Sequence, residues 1–567
     1  MYSFIFNSLK FMLPKVVALL FFIGISVTSA LCENLFLKYL INNASNFITE
    51  QKQICLIACY MLMARFIYVS SSMICNYIIT NYEPKLKNHV ADFTLKNIYS
   101  KNYNFFLKSN SGTVVAKIND LASSVPVVVS VFLTCYCRNI FAILVSIYIL
   151  STVNIFFGIA VATCSITVFL ISFFSAKKFN FLSLKSVEAA AVLIGRIMES
   201  IANIFFIKLS ASYDHELKII HSLQSFFLKS SLARRAFIIK LNITQEIGFF
   251  IYHSMCVVAA LFFLFKNEIA AGDFALVVGI NSFIMFTLSS IAENTKQFTE
   301  NLGAIEQALL SLQLHKIKSK IDNINEVIIR GDIEFENVSF SYDQNVALAC
   351  LSIAIPDKSK IAIVGVSGSG KSTFVKLIIG IFENYIGNIV ISGINIRHIS
   401  EDELSKKIVF IPQEACIFNS SVRENIAYGA QGIAHEDIID AAKKANLHGI
   451  VMQLQNGYDT IIGERGITLS GGQRQLVSLA RAFLKKDATI VIVDEATSNL
   501  DGISEDETCE TMKKLAMNKT FIMITHNISM IKQFDRIFLF DKGKVVGNDT
   551  HSVLLNNNEL YKKLNKK

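Results

Sequence analysis

The sequence predicts an all-α domain of six membrane-spanning helices followed by an α/β domain built to hold phosphate. Three observations lead there. Apolar residues make up 52% of the 567 residues and charged residues only 17%, with a mean hydropathy of +0.45, whereas a soluble chain carries about 25% charge. That balance excludes a disordered protein and one that coats nucleic acid. The apolar excess gathers in six runs within the first 310 residues. From Ile333 onward, short apolar strands alternate with amphipathic helices, and one strand opens into a glycine-rich loop. The expected division is a membrane domain over 1–310, a linker over 311–330 and a phosphate-handling domain over 331–567.

Crossing about 30 Å of hydrocarbon takes roughly 20 helical residues. The candidate spans are Val16 to Cys32 with its flanks, Ile54 to Ile79, Val127 to Leu150, Ile155 to Ala176, Ile247 to Phe265 and Phe274 to Ile291. The first reads as a continuing helix rather than a cleaved leader, because Glu33-Asn34-Leu35-Phe36-Leu37 extends it without a clean small-residue cleavage site. Cations set the orientation. Lys85, Lys87, Lys96, Lys101, Lys108 and Lys117 lie between spans two and three, and ten more, including Arg196, Arg234 and Arg235, lie between four and five. The opposite side holds only Lys38, Lys52 and Lys266. The two long segments and the amino terminus therefore share one side, the side of the phosphate-handling domain. Both segments are poor in Gly and Pro and read as helical arms reaching beyond the membrane surface.

Arg65 and Arg138 fall at membrane depth, where a charge costs about 2.5–3.5 kcal/mol on insertion scales and usually faces a bundle interior. The eleven cysteines are scattered, and none forms a CxxC pair with zinc spacing. Cys135 and Cys137 could meet a soft metal, but small buried thiols account for them more simply. No disulfide framework is expected.

The second half carries the chemistry. Strand Ile361-Ala362-Ile363-Val364 runs into Gly365-Val366-Ser367-Gly368-Ser369-Gly370-Lys371-Ser372, followed by a helix from Thr373. This is GxxxxGK[ST] in its strand–loop–helix context: glycines let backbone N–H groups curl around phosphates, and the helix start adds a positive dipole end. Lys371 is placed for the β/γ phosphates and Ser372 for magnesium. A second strand, Ile490 to Val493, ends in Asp494 and Glu495. Asp494 suits the magnesium shell, with Ser372, and Glu495 suits the attacking water. Leu469-Ser470-Gly471-Gly472-Gln473 then opens another helix and makes a second anion cradle. Two cradles and one γ-phosphate per ATP are reconciled when each Ser470 cradle caps nucleotide held by a partner chain.

With those motifs in place, this half resembles the nucleotide-binding domain of ABC transporters, in which two domains sandwich two ATP molecules head to tail. The resemblance implies an α/β P-loop ATPase domain of the ABC type, with ATP and Mg2+ as cofactors. It places Tyr342 as the aromatic stacking on adenine and Gln413 as the glutamine joining the magnesium site to the membrane domain. It also makes Glu464-Arg465-Gly466 an arm-contacting loop, Asp501 of Ser498-Asn499-Leu500-Asp501 a residue reaching the interface, and His526 the switch histidine at the γ-phosphate. Glu495 and His526 are the catalytic candidates. Leu476 departs from the family, many members having arginine there. Six spans and one ATPase unit are half of what the sandwich needs, so the resemblance implies a homodimeric half-exporter, multi-pass in a lipid bilayer, with both termini on the ATP side and no nucleic-acid partner.

For the small-molecule cargo, Leu241-Asn242-Ile243-Thr244-Gln245, read as the entrance to the fifth helix, resembles the LNxxQ element of mitochondrial ATM/heavy-metal-tolerance exporters. Asn242 and Gln245 would then hold a glutathione-linked sulfur or iron–sulfur precursor in a mitochondrial-type inner membrane. The family's arginines beyond helix four have no clear match here, Lys177 and Lys178 being the nearest cations. A lipid or drug flippase on the same fold is the alternative, and an ATP-gated channel or regulatory subunit a third reading.

Overall fold

The computed structural model of the protein describes all residues except 1–3, 7–9, 11, 44–50, 110, 315–328, 431, 464–468, 496–509, 526–527 and 566–567. The chain divides into two compact units, one comprising Met1–Lys101 and Ser109–Ile317, the other Asn102–Lys108 and Lys318–Lys567. The short stretch Asn102–Lys108 thus belongs to the second unit, although its sequence position lies in the first arm.

Among the described residues of the first unit, six helices are long and apolar enough to cross a membrane. They are α1 (Leu13–Asn42), α2 (Gln51–Tyr99), the composite α3 (Ser111–Val131) with α4 (Arg138–Val153), α5 (Ile155–Ala202), α6 (Tyr213–Phe265) and α7 (Ala271–Ser311). The two long segments are helical, as their composition predicts: α2 and α3 build the first arm, and α5 and α6 the second. Pro14 lies in the first turn of α1, where its missing N–H has no intrahelical partner to lose. Asn154 separates α4 from α5 in extended backbone and caps α5 by accepting from the Phe156 N–H at 3.0 Å.

The interior is an apolar cluster that includes Val27, Leu31, Leu150, Phe157, Val161, Phe249, Leu276, Val277 and Ile280. Polar ties fix the helices around it. Lys38 pairs with Asp273 at 2.6 Å, and the Gly272 N–H donates to Asn42 Oδ1 at 2.7 Å. A Cβ on Gly272 would stand 2.2 Å from the Lys38 carbonyl oxygen, so only glycine permits this approach of α7 to α1. Arg65, unexplained at the sequence level, pairs with Glu33 at 3.3 Å and lies over the Tyr68 ring. Between α3 and α4, Phe132–Cys137 winds as a π-helix. Its widened turn brings Tyr136 to Thr295 (2.9 Å) and Asn139 to Ser290 (2.8 Å) and Cys135 (3.4 Å). No group of three or more potential metal ligands forms among the described residues.

The second unit holds two sheets. An antiparallel one has the order β2-β1-β4-β5, from β1 (Ile333–Tyr342), β2 (Asn345–Ile355), β4 (Ile386–Ile391) and β5 (Ile394–Asn395). The larger sheet runs β10-β9-β3-β8-β7-β6, from β3 (Lys360–Gly365), β6 (Ile408–Ile411), β7 (Ile490–Asp494), β8 (Thr520–Ile524), β9 (Arg536–Asp541) and β10 (Lys544–Asp549). Its β9-β3-β8-β7-β6 core is parallel. β7 and β8 are buried along their whole length, which is why they read as unbroken apolar runs rather than alternating ones. Within this unit, Lys108 pairs with Asp343 at 2.6 Å, and the Tyr103 ring lies 6.1 Å from that of Phe382.

Candidate functional site

In parallel α/β sheets ligands gather at the carboxyl ends of strands. Here β3 ends in the glycine-rich loop and β7 in the two carboxylates, with only β8 between them. Helix α8 (Lys371–Ile378) begins on Gly370, which takes a left-handed φ of 104°. A Cβ there would meet the Ala347 carbonyl oxygen at 2.7 Å. Gly370→Ala is therefore expected to destabilise the loop by about 2–4 kcal/mol, checked by loss of ATP photolabelling together with a lowered thermal midpoint. Val366, Ser367, Gly368 and Ser372 are exposed, whereas Ser369, Lys371 and Thr373 are buried.

Lys371 Nζ donates to the carbonyls of Gly365 (2.8 Å) and Val366 (3.0 Å), folding back into its own loop. Burial pulls its ammonium below the usual lysine range, opposed by the charges of Glu495 and Asp494. Asp494 accepts a hydrogen bond from the Ser372 side chain, and its carboxyl is pushed up by burial and then by the neighbouring Glu495 charge. Glu495 takes a left-handed φ of 46°, and its N–H donates to the Ile524 carbonyl at 3.0 Å. Gln413 Nε2 donates to Glu495 Oε2 at 2.9 Å. Sequence-distant residues therefore meet: loop lysine, hydroxyl, paired carboxylates and glutamine.

These residues fit a magnesium–triphosphate. Ser372, Asp494 and the Gln413 side-chain oxygen are hard oxygen donors, and the raised Asp494 carboxyl marks a place where a cation relieves repulsion. The Ser369 Oγ is buried in the loop without a hydrogen-bond partner among the described residues. Tyr342, at the end of β1, packs edge-on to Phe340 and Phe382, and its hydroxyl lies 3.4 Å from Thr373 Oγ1.

Ser470 caps helix α9 (Gly471–Leu484) through a reciprocal box: the Gln473 N–H donates to Ser470 Oγ at 3.2 Å, and the Ser470 N–H donates to Gln473 Oε1 at 3.0 Å. The cap leaves the N–H groups of Gly471 and Gly472 in the first turn, where intrahelical acceptors are lacking. Asp501, His526, Glu464-Arg465-Gly466 and Ser498-Asn499-Leu500 lie outside the described residues.

Two residues escaped sequence reasoning. Gln475 is buried and donates to the Gln413 carbonyl at 3.2 Å. Arg481 donates to the carbonyls of Cys416 and Asn425 and to Asn425 Oδ1. An arginine on the apolar stripe of α9 was the available signal. In the first unit, Gln245 is buried and its Nε2 donates to Ser172 Oγ at 3.3 Å, while Asn242 is exposed. Both lie inside the unbroken α6 rather than at a helix entrance, a correction to the sequence reading.

The sequence model of the ABC transporter family matches residues 348–498. An ATP-dependent lipid A-core flippase of Desulfotalea psychrophila is 30% identical over 486 residues, 82% of this chain and 82% of that protein. ABC transporter B family member 24, mitochondrial, of Arabidopsis thaliana is 33% identical over 374 residues, 65% of this chain but only 55% of that protein, so the chain spans little more than half its length. A bacterial Atm1-family ABC exporter with ATP bound shares the fold, with a TM-score of 0.90 at 23% identity over 98% of both chains. An ATPase unit with these motifs, preceded by six membrane-length helices and related along most of its length to such proteins, makes this chain a member of the ABC transporter family.

Proposed function

We propose that two copies of the chain form an ATP-driven exporter, with two ATP molecules held between the second units of both copies. The observation carrying this is the convergence of Lys371, Ser372, Gln413, Asp494 and Glu495 at the carboxyl ends of the parallel strands, in a chain whose described residues also supply six spans. Lys371 exchanges its two loop carbonyls for phosphate oxygens. Magnesium, when bound with the nucleotide, supplies charge neutralisation to the phosphates; Ser372, Asp494 and Gln413 are the residues to hold it. Glu495 orients the attacking water and accepts its proton, and His526 and Tyr342 take the γ-phosphate and adenine roles implied by the family. Ser470 uses its oxygen to cap α9, leaving its O–H proton to reach nucleotide on the partner copy. Asp501 would reach the same interface. The exposed Phe205, Phe206 and Leu209 at the turn of the second arm support a partner copy that covers them. ATP drives transport only through its preference for the closed pair.

For cargo, the proposal is a polar thiol conjugate of the glutathione type, moved across a mitochondrial-type inner membrane with both termini on the ATP side. Its support is the Leu241-to-Gln245 stretch and the polar character of the neighbouring helices. Glu246 accepts from Ser289 at 3.2 Å, Arg234 pairs with Glu300 at 2.5 Å, and Lys178 lies over the Phe237 ring. A second reading, a lipid or amphiphile exporter, is supported by the long match to the lipid A-core flippase and by Gln245 being engaged with Ser172. ATPase rates in proteoliposomes decide. Oxidised or metal-bound glutathione is expected to raise turnover severalfold; stimulation by lipids or cationic amphiphiles alone would reject the thiol reading. A tagged copy locates the membrane.

A further inference from the structure

We propose that Gln475 is a positioning residue through which nucleotide at one ATP site of the pair sets the catalytic carboxylate of the other; this rests on the two-copy sandwich proposed above. Gln475 lies near the start of α9, close behind the capped Ser470, with a relative exposure of 1%. Its Nε2 donates to the Gln413 main-chain carbonyl at 3.2 Å, and the Gln413 side chain donates to Glu495 Oε2 at 2.9 Å. Two hydrogen bonds therefore run from the helix whose first turn faces the partner's nucleotide to the carboxylate serving the nucleotide in this chain's own loop. Nearly two turns farther along α9, Arg481 holds the far end of the same segment at the Cys416 carbonyl, and also Asn425. Held at both points, the loop from Gln413 to Cys416 moves with α9 as one piece.

The chemistry of Gln475 favours this role over a packing one. Its own oxygen, Oε1, is buried without a donor among the described residues, and so is Ser478 Oγ on the next turn. An unpaired buried acceptor is destabilising, and methionine, of similar length, would avoid it. What the amide provides in return is the donor to Gln413. When nucleotide on the partner draws Ser470 and α9 inward, Gln475 carries the Gln413 carbonyl with it. The Gln413 side chain then shifts against Glu495. Each site thus reports its occupancy to the other.

The test is Gln475→Met in the full-length chain, reconstituted in proteoliposomes, with ATPase rate followed against ATP concentration. The expected result is a thermal midpoint unchanged or raised and a KM for ATP within about twofold of the parent. A fall of about tenfold in kcat, and a Hill coefficient dropping from above one to one, complete the expectation. A residue that merely packs would lower the midpoint and leave the Hill coefficient as it was. A variant with parental kcat and cooperativity overturns the proposal, as does a parent protein whose Hill coefficient is already one. Glu495→Gln run in parallel separates the two levels. If it hydrolyses ATP normally, Glu495 is not the catalytic carboxylate and the proposed reading of the site fails with it; if it is inactive while Gln475→Met behaves as the parent, only the relay fails.

Discussion

Glu495→Gln is expected to keep ATP binding, lower hydrolysis by at least about 100-fold, the usual scale for a lost general base, and trap nucleotide-bound pairs. The substitution removes a charge and a proton acceptor while preserving shape. Its backbone sits in left-handed geometry with an N–H bond to Ile524, and glutamine tolerates that geometry as well as glutamate does. The contact from Gln413 Nε2 also survives, because an amide oxygen accepts as a carboxylate oxygen does. Lys371 and Ser372 remain to hold phosphate. Repulsion between Glu495 and Asp494, which helps raise the Asp494 carboxyl, disappears, so nucleotide binding should tighten rather than weaken. What is lost is the step that resets the closed state. ATPase assays, nucleotide filter binding and size-exclusion chromatography with ATP check each part. Parental hydrolysis by the variant would remove Glu495 from its role.

How much of this site is legible without a structure depends on how local each part is. The glycine-rich loop and its lysine are written in eight consecutive residues, Gly365 to Ser372, and their geometry follows from strand, curl and helix start. The buried strand before Asp494 is equally plain, since both faces are covered and the run is apolar throughout. Other features are set by packing between distant segments. Nothing adjacent to Gln475 or Arg481 predicts that they hold opposite ends of one loop, because their partners are carbonyl oxygens that any residue could supply. The π-helical turn at Phe132–Cys137 contains neither glycine nor proline; it forms where Tyr136 and Asn139 both reach α7. Arg65 reads as an isolated charge until Glu33 on the neighbouring helix is brought beside it. In α6 the reverse occurs: Leu241 to Gln245 looks like a boundary element, yet 53 residues run through it as one helix.

Mixing two inactive variants is expected to restore activity that neither has alone. In a head-to-tail pair, each ATP site takes Lys371 from one copy and Ser470 from the other. A Lys371→Ala chain paired with itself has two sites without the phosphate-facing ammonium. A Ser470→Arg chain paired with itself has two sites with a bulky cation in place of the hydroxyl that caps α9. Each homodimer should lose at least about 100-fold in hydrolysis, the scale of a removed transition-state contact or more. In the mixed pair, both lesions fall in one site, and the other keeps native Lys371 and native Ser470. Random pairing makes half the dimers mixed, each with one of two sites intact, so the mixture should recover roughly a quarter of the parental rate when sites act independently. The Gln475 relay lowers that figure, because the intact site is served by a Glu495 whose own helix faces the damaged site. With Gln475→Met in both chains, a recovery near a quarter of the rate of the Gln475→Met protein, and without that change a recovery well below a quarter of the parental rate, would join both proposals. No recovery at any mixing ratio, with mixed pairs shown to form by two-colour co-purification, would mean that Lys371 and Ser470 of separate copies do not share a nucleotide.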